Sequence, residues 1–185
     1  KQSDILACSV VTKFSVRNPK HEIEAAKILK KDFMPVTMGH TVSGKLNFPR
    51  RVFTSYLNSA IFHAFSRFSN SIRKAMEKEK INAPIYVLKA DGGTASLEAA
   101  ENRPVETILS GPAASLMGIN ALLPTKKDAV QLDIGGTTTD ISFLADGIPL
   151  FEPQGIKIDK YKTLVRAVYN VSIGLGGDSS VRVED

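Results

Sequence analysis

One eight-residue segment constrains the fold of this chain more than any other. It reads Asp133-Ile-Gly-Gly-Thr-Thr-Thr-Asp140, and a short apolar run flanks it on each side. Runs of this length that are rich in β-branched residues are typical of buried strands, so the segment predicts two strands joined at the glycines. Because glycine has no Cβ, such a turn can bring backbone N–H groups close to an anion.

The residue types in this segment are those of a metal–phosphate site. Carboxylates repel phosphate unless a cation lies between them, and Mg²⁺ prefers hard oxygen ligands. We therefore predict a bound phosphate at the amides and hydroxyls, and Mg²⁺ at the two carboxylates. The predicted phosphate ligands are Gly135, Gly136, Thr137, Thr138 and Thr139, and the predicted metal ligands are Asp133 and Asp140.

Other interpretations of the same segment stay open. A plain hairpin with a Gly-Gly turn and β-forming threonines would have the same sequence. A Walker A loop is excluded because no Gly-Lys-Ser/Thr follows the glycines, and a Rossmann turn is excluded because a strand follows where a helix is required.

The rest of the chain predicts alternating strands and helices. Residues 4–39 have the layout of a βαβ crossover, with Asn18 as the N-cap of its helix and Pro19 at the first helical position. Apolar residues recur at three- and four-residue spacing from Val52 to Met76, which predicts a long helix from Pro49 to about Lys80 with a broad apolar face in the core. Further strands are expected at residues 85–90, 129–134, 141–145 and 165–173, and an Asp146-Gly147 hairpin turn follows the third of these.

Two further segments are candidate ligand sites. Gly174-Leu-Gly-Gly177 follows the last predicted strand, and its glycines Gly174, Gly176 and Gly177 would let a nucleotide lie against the backbone. A simple turn is the alternative. Ser110-Gly111-Pro112 opens a helix of small residues, with Ser110 as the predicted N-cap. The free N–H groups of Ser110 and Gly111 could hold an anion, or the segment could serve only capping and close packing.

Composition narrows the class of protein. A chain of 185 residues with 43% hydrophobic and 23% charged residues is neither disordered nor fibrous. No uninterrupted apolar stretch reaches about 18 residues, so no membrane span is expected. The lone Cys8 excludes an internal disulfide framework and favours a reducing, cytoplasmic location.

Charge is distributed unevenly along the chain. Residues 1–84 contain 15 Lys and Arg against 6 Asp and Glu, whereas residues 85–185 contain 9 against 13. The basic half carries no nucleic-acid-binding motif, so a solvated helix surface is favoured and no nucleic-acid partner is expected. We predict a subdivision into residues 1–84 and 85–185. The start at Lys1 and the strand-like run at residues 180–183 predict a piece of a longer polypeptide.

The order of the motifs resembles that of a known family, the A-type subunits of the hydantoinase/oxoprolinase family. This family lies within the superfamily of actin, sugar kinases and chaperone ATPases. The matching segments are Asn18-Pro19-x-His21-Glu22, Asp91-Gly92-Gly93 with Glu98-Ala99, Arg103-Pro104-Val105 through Ser110-Gly111-Pro112-Ala113-Ala114, Asp133–Asp140 and Gly174-x-Gly176-Gly177.

The resemblance implies an α/β fold of the ribonuclease-H-like type, with mixed sheets and flanking helices. It implies ATP and Mg²⁺ as cofactors, a cyclic amide such as a hydantoin or 5-oxoproline as substrate, and a B-type partner subunit. An ATP-dependent ketone carboxylase subunit and a non-catalytic scaffold of the same fold are the alternatives. No catalytic base is assigned. The first Asp/Gly/Thr phosphate motif of the family is missing from residues 1–90, so we expect this chain to carry only part of the phosphate site and to be inactive alone.

Overall fold

The computed structural model describes residues 5–180, which form two units. Unit 1 comprises residues 5–87, 94–108 and 154–165, and unit 2 comprises residues 88–93, 109–153 and 166–180. The expected subdivision at residue 84 stays a prediction. Asp4 of the first expected strand and residues 181–183 of the last strand-like run lie outside the described residues.

The described residues form ten short strands and five α-helices. No helix among them is long and apolar enough to cross a membrane. In chain order the elements are β1 (Cys8–Val10), α1 (Lys20–Leu29), β2 (Val36–Met38), α2 (Gly39–Val42), α3 (Phe48–Lys78), β3 (Tyr86–Leu88), β4 (Thr94–Ser96), α4 (Leu97–Asn102), a 3₁₀ turn (Pro104–Thr107), α5 (Ser110–Leu122), β5 (Ala129–Ile134), β6 (Thr139–Ala145), β7 (Ile148–Pro149), β8 (Lys157–Ile158), β9 (Tyr161–Lys162) and β10 (Asn170–Ile173).

The predicted βαβ crossover is confirmed in unit 1. β1 and β2 pair in parallel with Cys8 opposite Val36, and α1 connects them. Pro19, not Asn18, occupies the N-cap position of α1, so the predicted cap is wrong by one residue. The Asn18 side chain still accepts a hydrogen bond from the Lys20 N–H at 3.1 Å, because an Asn side chain readily bonds the backbone two residues ahead.

Helix α3 is confirmed in position, but the prediction that its apolar stripe forms the core is wrong for several residues. Phe53, Tyr56 and Phe68 are exposed, with relative accessibilities of 36%, 52% and 51%. The side chains of α3 that are buried are polar; they are Arg51, Thr54, Ser55, Asn58, Ser59 and Ser69. Helical spacing therefore located the helix correctly but misassigned which side faces inward.

The buried side of α3 contacts the β1–β2 pair through side-chain hydrogen bonds. The Ser59 hydroxyl lies 2.9 Å from the hydroxyl of Ser9 on β1 and 2.8 Å from that of Thr37 on β2. Asn58 donates to the Thr37 hydroxyl at 3.2 Å and accepts from the Val105 N–H at 3.2 Å. Because buried polar groups must be paired to avoid a desolvation cost, these bonds fix the rotation of α3 about its own axis.

Arg51 is the largest fully buried side chain described in the chain. Its guanidinium donates to the carbonyl oxygens of Lys45 at 2.6 Å, Thr12 at 2.9 Å and Lys13 at 2.8 Å. Burial lowers the pKa of Arg51, and the negative charge of Glu22 opposes that shift. The cation thus joins the start of α3 to the segment that follows β1.

Unit 2 is built on an antiparallel sheet in the order β10-β6-β5, with β7 also paired to β6. Helix α5 packs against it through a core of Ala113, Leu116, Leu144 and Val168. The predicted hairpin turn is confirmed: Asp146 and Gly147 have φ values of +50° and +78°, as expected for a tight turn whose twist matches its strands.

Two expectations for unit 2 need correction. Ser110 is the first residue of α5 and not its N-cap; the N-cap position belongs to Leu109, in the left-handed conformation with φ of +63° and no capping side chain. The last strand runs over Asn170–Ile173 and is shorter than expected, because the preceding residues pair with other partners. Val168, for example, forms an isolated bridge with Phe151.

Replacing Arg51 by Ala should lower the free energy of unfolding by about 3 kcal/mol, because a fully buried side chain is lost and three carbonyl oxygens lose their donor. The matched control is Arg67→Ala on an exposed turn of the same helix, where a change within about 0.5 kcal/mol is expected. Urea unfolding of both variants measures the difference. Equal stability of the two variants would contradict the structural role of Arg51.

A second prediction concerns acid stability and Glu101, which joins α4 to α3. The Arg73 guanidinium, 2.5 Å away, lowers the pKa of Glu101; burial opposes the shift, and a hydrogen bond from Ser69 adds to it. A carboxyl whose pKa is lower in the folded state stabilises the fold above its unfolded pKa, and that stability is lost as pH falls. In Glu101→Gln, unfolding free energy should therefore fall less steeply than in the parent chain from about pH 5 to pH 3.

Arg73→Gln removes the cause of the same shift and should flatten the acid limb in the same way. Urea unfolding at a series of pH values measures both slopes. A parent-like slope in both variants would rule out this ion pair as a source of acid sensitivity.

Candidate functional site

The predicted hairpin lies between β5 and β6 in unit 2. The two strands pair antiparallel with Asp133 directly opposite Asp140 and Ile134 opposite Thr139. The Gly135 N–H donates to the Thr138 carbonyl at 2.9 Å and closes the turn. Among the described residues, the N–H groups of Gly136 and Thr137 have no backbone partner. The turn therefore contains two consecutive N–H groups without a backbone partner.

The structure places the second glycine segment directly against this hairpin. The N–H groups of Gly177 and Asp178 donate to the carbonyls of Gly135 at 2.9 Å and Gly136 at 2.8 Å. The Thr139 hydroxyl is buried and donates to the Leu175 carbonyl at 2.6 Å. Segments 40 residues apart in sequence thus form one backbone-lined loop pair, with Thr139 joining the two loops.

Gly176 is the position at which this packing requires glycine. A Cβ there would lie 2.5 Å from the Gly136 carbonyl oxygen and 2.7 Å from the Thr137 nitrogen. Both contacts are with backbone, which cannot move aside as a flexible side chain can. Gly174, in contrast, has nothing within 4 Å of its ideal Cβ position.

The two carboxylates are each held by one neutral partner. The Ser115 hydroxyl of α5 donates to Asp133 Oδ2 at 2.5 Å, and the Asn170 amide of β10 donates to Asp140 Oδ1 at 3.0 Å. Within residues 5–180, Oδ1 of Asp133 and Oδ2 of Asp140 have no hydrogen bond, and neither carboxylate forms an ion pair with Lys, Arg or His. Two like charges opposite each other on paired strands destabilise a sheet. A bound cation would remove that cost.

The carboxylates of Asp133 and Asp140 would be suitable ligands for one Mg²⁺ ion shared between them. Within residues 5–180, no group of three or more His, Cys, Asp and Glu side chains is placed to hold a metal ion. Mg²⁺ is commonly held by one or two carboxylates together with water and phosphate oxygens, so the pair of Asp133 and Asp140 is a sufficient protein contribution.

Ser110 and Gly111 occupy the first turn of α5, also in unit 2. In the described part of the chain, no hydrogen bond links either residue to the hairpin. Helix α5 contacts the hairpin through Ser115, which is five residues further along the helix, or about 7.5 Å at the usual rise. The predicted anion contact of Ser110 and Gly111 therefore stays a prediction.

Several residues that shape the site were not assigned a role from sequence. Ser115 and Asn170 orient the two carboxylates, and the Ser179 hydroxyl accepts the Gly176 N–H at 3.0 Å. A usable signal existed for Asn170 alone: in β10, Asn170 and Ser172 alternate with Val171 and Ile173, so the polar side chains share the sheet face of Asp140. The contact of Ser115 with Asp133 depends on how α5 packs, so no local sequence pattern predicts it.

Comparison with known proteins identifies the relationship. A model of the hydantoinase/oxoprolinase family matches residues 51–185. The chain belongs to the hydantoinase/oxoprolinase family. The resemblance inferred from the motifs is confirmed, and so is the mixed α/β class.

Individual relatives in the family are distant. The chain is 26% identical to the acetophenone carboxylase gamma subunit of Aromatoleum aromaticum over 92% of its own length and 24% of the relative's. It is 26% identical to the caprolactamase subunit alpha of Pseudomonas jessenii, over 100% of this chain and 27% of that protein. It is 26% identical to the 5-oxoprolinase of Saccharomyces cerevisiae over 78% of this chain and 11% of that protein. The chain thus spans about a quarter or less of these relatives.

Solved structures support the fold. The crystal structure of the ATP-dependent caprolactamase from Pseudomonas jessenii matches with a TM-score of 0.75 at 23% identity, covering 97% of this chain and 26% of that one. A nucleotide-free structure of acetone carboxylase matches with a TM-score of 0.71 at 22% identity, covering 92% of this chain and 25% of that one. At such identities the likeness establishes the fold of this family member.

Gly176→Ala should destabilise the chain by about 1–3 kcal/mol, because the added methyl group overlaps backbone atoms of the hairpin. Gly174→Ala is the matched control two residues away, and its Cβ meets open space, so a change within about 0.5 kcal/mol is expected. Urea unfolding gives both values. Hydrogen exchange of the Gly177 and Asp178 amides, faster only in Gly176→Ala, would locate the disturbance at the loop pair.

Proposed function

We propose that the complete protein is an ATP-dependent hydrolase of cyclic amides, and that the β5–β6 hairpin holds the phosphates of Mg-ATP. The observation that carries this proposal is the facing pair Asp133 and Asp140, which lack a basic partner in the described structure and lie beside the unpaired N–H groups of Gly136 and Thr137. Anion donors next to cation ligands suit a metal–phosphate complex better than either ion alone.

The phosphate ligands in this proposal are fewer than those expected from the sequence, because the Gly135 N–H and the Thr139 hydroxyl already donate to Thr138 and Leu175. The N–H groups of Gly136 and Thr137 and the hydroxyls of Thr137 and Thr138 bind phosphate oxygens, while Asp133 and Asp140 hold Mg²⁺ with their free oxygens. Ser115 and Asn170 keep those carboxylates in place. In the segment Gly174-Leu-Gly-Gly177, the three glycines would let the rest of the nucleotide lie against the backbone. Catalysis at such a site is mainly positioning and charge stabilisation.

When bound, ATP would supply a phosphoryl group that activates the amide carbonyl, making the ring carbon electrophilic for water. A cyclic amide is the preferred substrate class because two of the relatives are named caprolactamase and 5-oxoprolinase. The names of two relatives describe them as subunits, which supports a partner subunit for the complete protein as well.

A second candidate function is ATP-dependent carboxylation of a ketone. It is favoured by the match to the acetophenone carboxylase gamma subunit, which extends over 92% of this chain. In this proposal both functions use the same phosphate site. They differ in the carbonyl compound, in the bond that is made or broken and in the need for bicarbonate. A non-catalytic scaffold is the remaining alternative, and retention of both Asp133 and Asp140 argues against it.

Mg-ATP should bind this chain weakly, and Asp133→Asn and Asp140→Asn should each weaken binding at least about tenfold, the loss expected from one charged ligand. The matched control is Asp146→Asn at the opposite end of β6, where Asn tolerates the left-handed backbone and no change is expected. Calorimetric titration measures the affinity of the parent chain and of each of the three variants. Parent-like affinity in both hairpin variants would remove the metal–phosphate assignment.

Phosphate release by the complete protein distinguishes the substrate classes. Release stimulated by 5-oxoproline or hydantoin, without bicarbonate, supports the cyclic amide hydrolase. Release that requires acetophenone together with bicarbonate supports the carboxylase. If no carbonyl compound stimulates release, the scaffold alternative is favoured.

A further inference from the structure

Asp178 adds a further carboxylate to the loop pair of unit 2, and hydrogen bonds fix its backbone against the hairpin turn. Its N–H donates to the Gly136 carbonyl at 2.8 Å. The turn that carries Asp178 is closed by two bonds: the Ser179 N–H donates to the Gly176 carbonyl at 2.9 Å, and the Ser179 hydroxyl accepts the Gly176 N–H at 3.0 Å. Main-chain atoms therefore hold Asp178 at this position.

The side chain of Asp178 lies beside the candidate phosphate ligands. Its Oδ2 is 3.3 Å, and its Cγ 3.9 Å, from the point that a Cβ would occupy on Gly136. Gly136 carries one of the two N–H groups without a backbone partner, and Thr137 carries the other. Neither N–H donates to the Asp178 carboxylate in the described structure. A negative charge thus lies next to two donors that it does not use.

The turn itself does not account for this charge. Asp favours turns because its side-chain oxygens accept hydrogen bonds from nearby backbone N–H groups. Among residues 5–180, the Asp178 carboxylate accepts no hydrogen bond and forms no ion pair, and the residue is exposed. The charge of Asp178 is therefore not neutralised by the chain and acts on whatever binds at the hairpin turn.

The same carboxylate is not placed as a third metal ligand. Asp133 and Asp140 face each other across β5 and β6. In the part of the chain that the structure describes, no group of three such side chains converges on a common metal position. A cation held by Asp133 and Asp140 is therefore not bound by Asp178 as well. The charge of Asp178 acts on the phosphate side of the candidate site.

The charges at the loop pair act differently on the two forms of a phosphate ligand. A phosphate group without a cation meets three carboxylates and only the partial positive charges of two N–H groups, and like charges repel over several ångströms. Mg²⁺ that accompanies the phosphate offsets this repulsion and is attracted to Asp133 and Asp140. A binding site gains specificity when an unpaired charge opposes the wrong ligand.

We propose that Asp178 is a specificity-determining residue that excludes from the hairpin turn any phosphate group without a divalent cation. The turn accepts Mg-ATP and rejects ATP without a metal. This inference rests on the proposed Mg-ATP site and concerns the chemical form of the nucleotide that the site takes. Asp133 and Asp140 supply the attraction for the cation, and Asp178 supplies the repulsion of a nucleotide that lacks one.

The ratio of two affinities tests the role of Asp178. Calorimetry on the complete protein gives its affinity for ATP with excess Mg²⁺ and its affinity for ATP with a chelator. Asp178→Asn keeps the size of the side chain and removes its charge. In this variant the ratio of the first affinity to the second should fall at least about tenfold, because the repulsion of metal-free ATP is lost.

Two further variants control for net charge and for the side chain itself. Asp146→Asn removes the same charge just beyond the opposite end of β6 and should keep the parent ratio. Asp178→Glu keeps the charge at the loop pair and should also keep the parent ratio. Because Asp178 is exposed, about 0.5 M salt should reduce the difference between the parent protein and Asp178→Asn.

The outcomes separate this inference from the proposed function. If the parent protein binds Mg-ATP and Asp178→Asn keeps the parent ratio, Asp178 is not selective and the proposed Mg-ATP site stands. An equal fall of the ratio in Asp146→Asn also overturns the inference, because net charge alone would then explain it. If the parent protein and Asp178→Asn bind ATP neither with Mg²⁺ nor without it, the proposed site fails and the inference fails with it.

Discussion

Arg51 is buried inside unit 1, where its guanidinium donates hydrogen bonds to the carbonyl oxygens of Lys45, Thr12 and Lys13. A buried guanidinium is costly unless most of its donors are matched. The terminal nitrogens of Arg51 donate to these carbonyls, whereas its Nε is buried with no partner in the described structure. The segment after β1 and the start of α3 must therefore take up the one arrangement that offers these acceptors. The same arrangement presents the Thr12 N–H to Glu22. The buried polar side of α3 and the buried Glu22 carboxylate therefore depend on the same requirement, that charges withdrawn from water find hydrogen-bond partners.

In unit 2 the constraint is different: two backbone segments pack in direct contact with each other. The hairpin turn and the segment around Gly176 exchange hydrogen bonds through main-chain atoms, and the contact leaves no space for a Cβ at Gly176. This packing leaves the N–H groups of Gly136 and Thr137 without backbone partners among the described residues. Asp133 and Asp140 are brought face to face by the strand register. Strand pairing and glycine packing thus bring the candidate phosphate and metal ligands together.

Local sequence patterns were sufficient to locate several of these elements. The spacing of strand, glycines and strand located the β5–β6 hairpin, and the Asp146-Gly147 pair located the β6–β7 hairpin. Both predictions depend only on residues adjacent in sequence. Periodicity located α3 but not its buried side. A hydrophobic pattern predicts the buried side of a helix only if the buried residues are apolar. Helix α3 instead buries Arg51 and Asn58, whose hydrogen-bond partners are far away in the sequence.

The sequence alone determined the class of fold, the family, and the residues from Asp133 to Asp140 as the candidate phosphate site, because these are carried by short motifs and local spacing. Tertiary structure decided which partners orient that site, since Ser115 and Asn170 meet the carboxylates only after α5 and β10 have packed. It also decided the orientation of the His40 ring, because Nδ1 of His40 lies 2.6 Å from the buried carboxylate of Glu22, which belongs to another helix and which no local sequence pattern pairs with it.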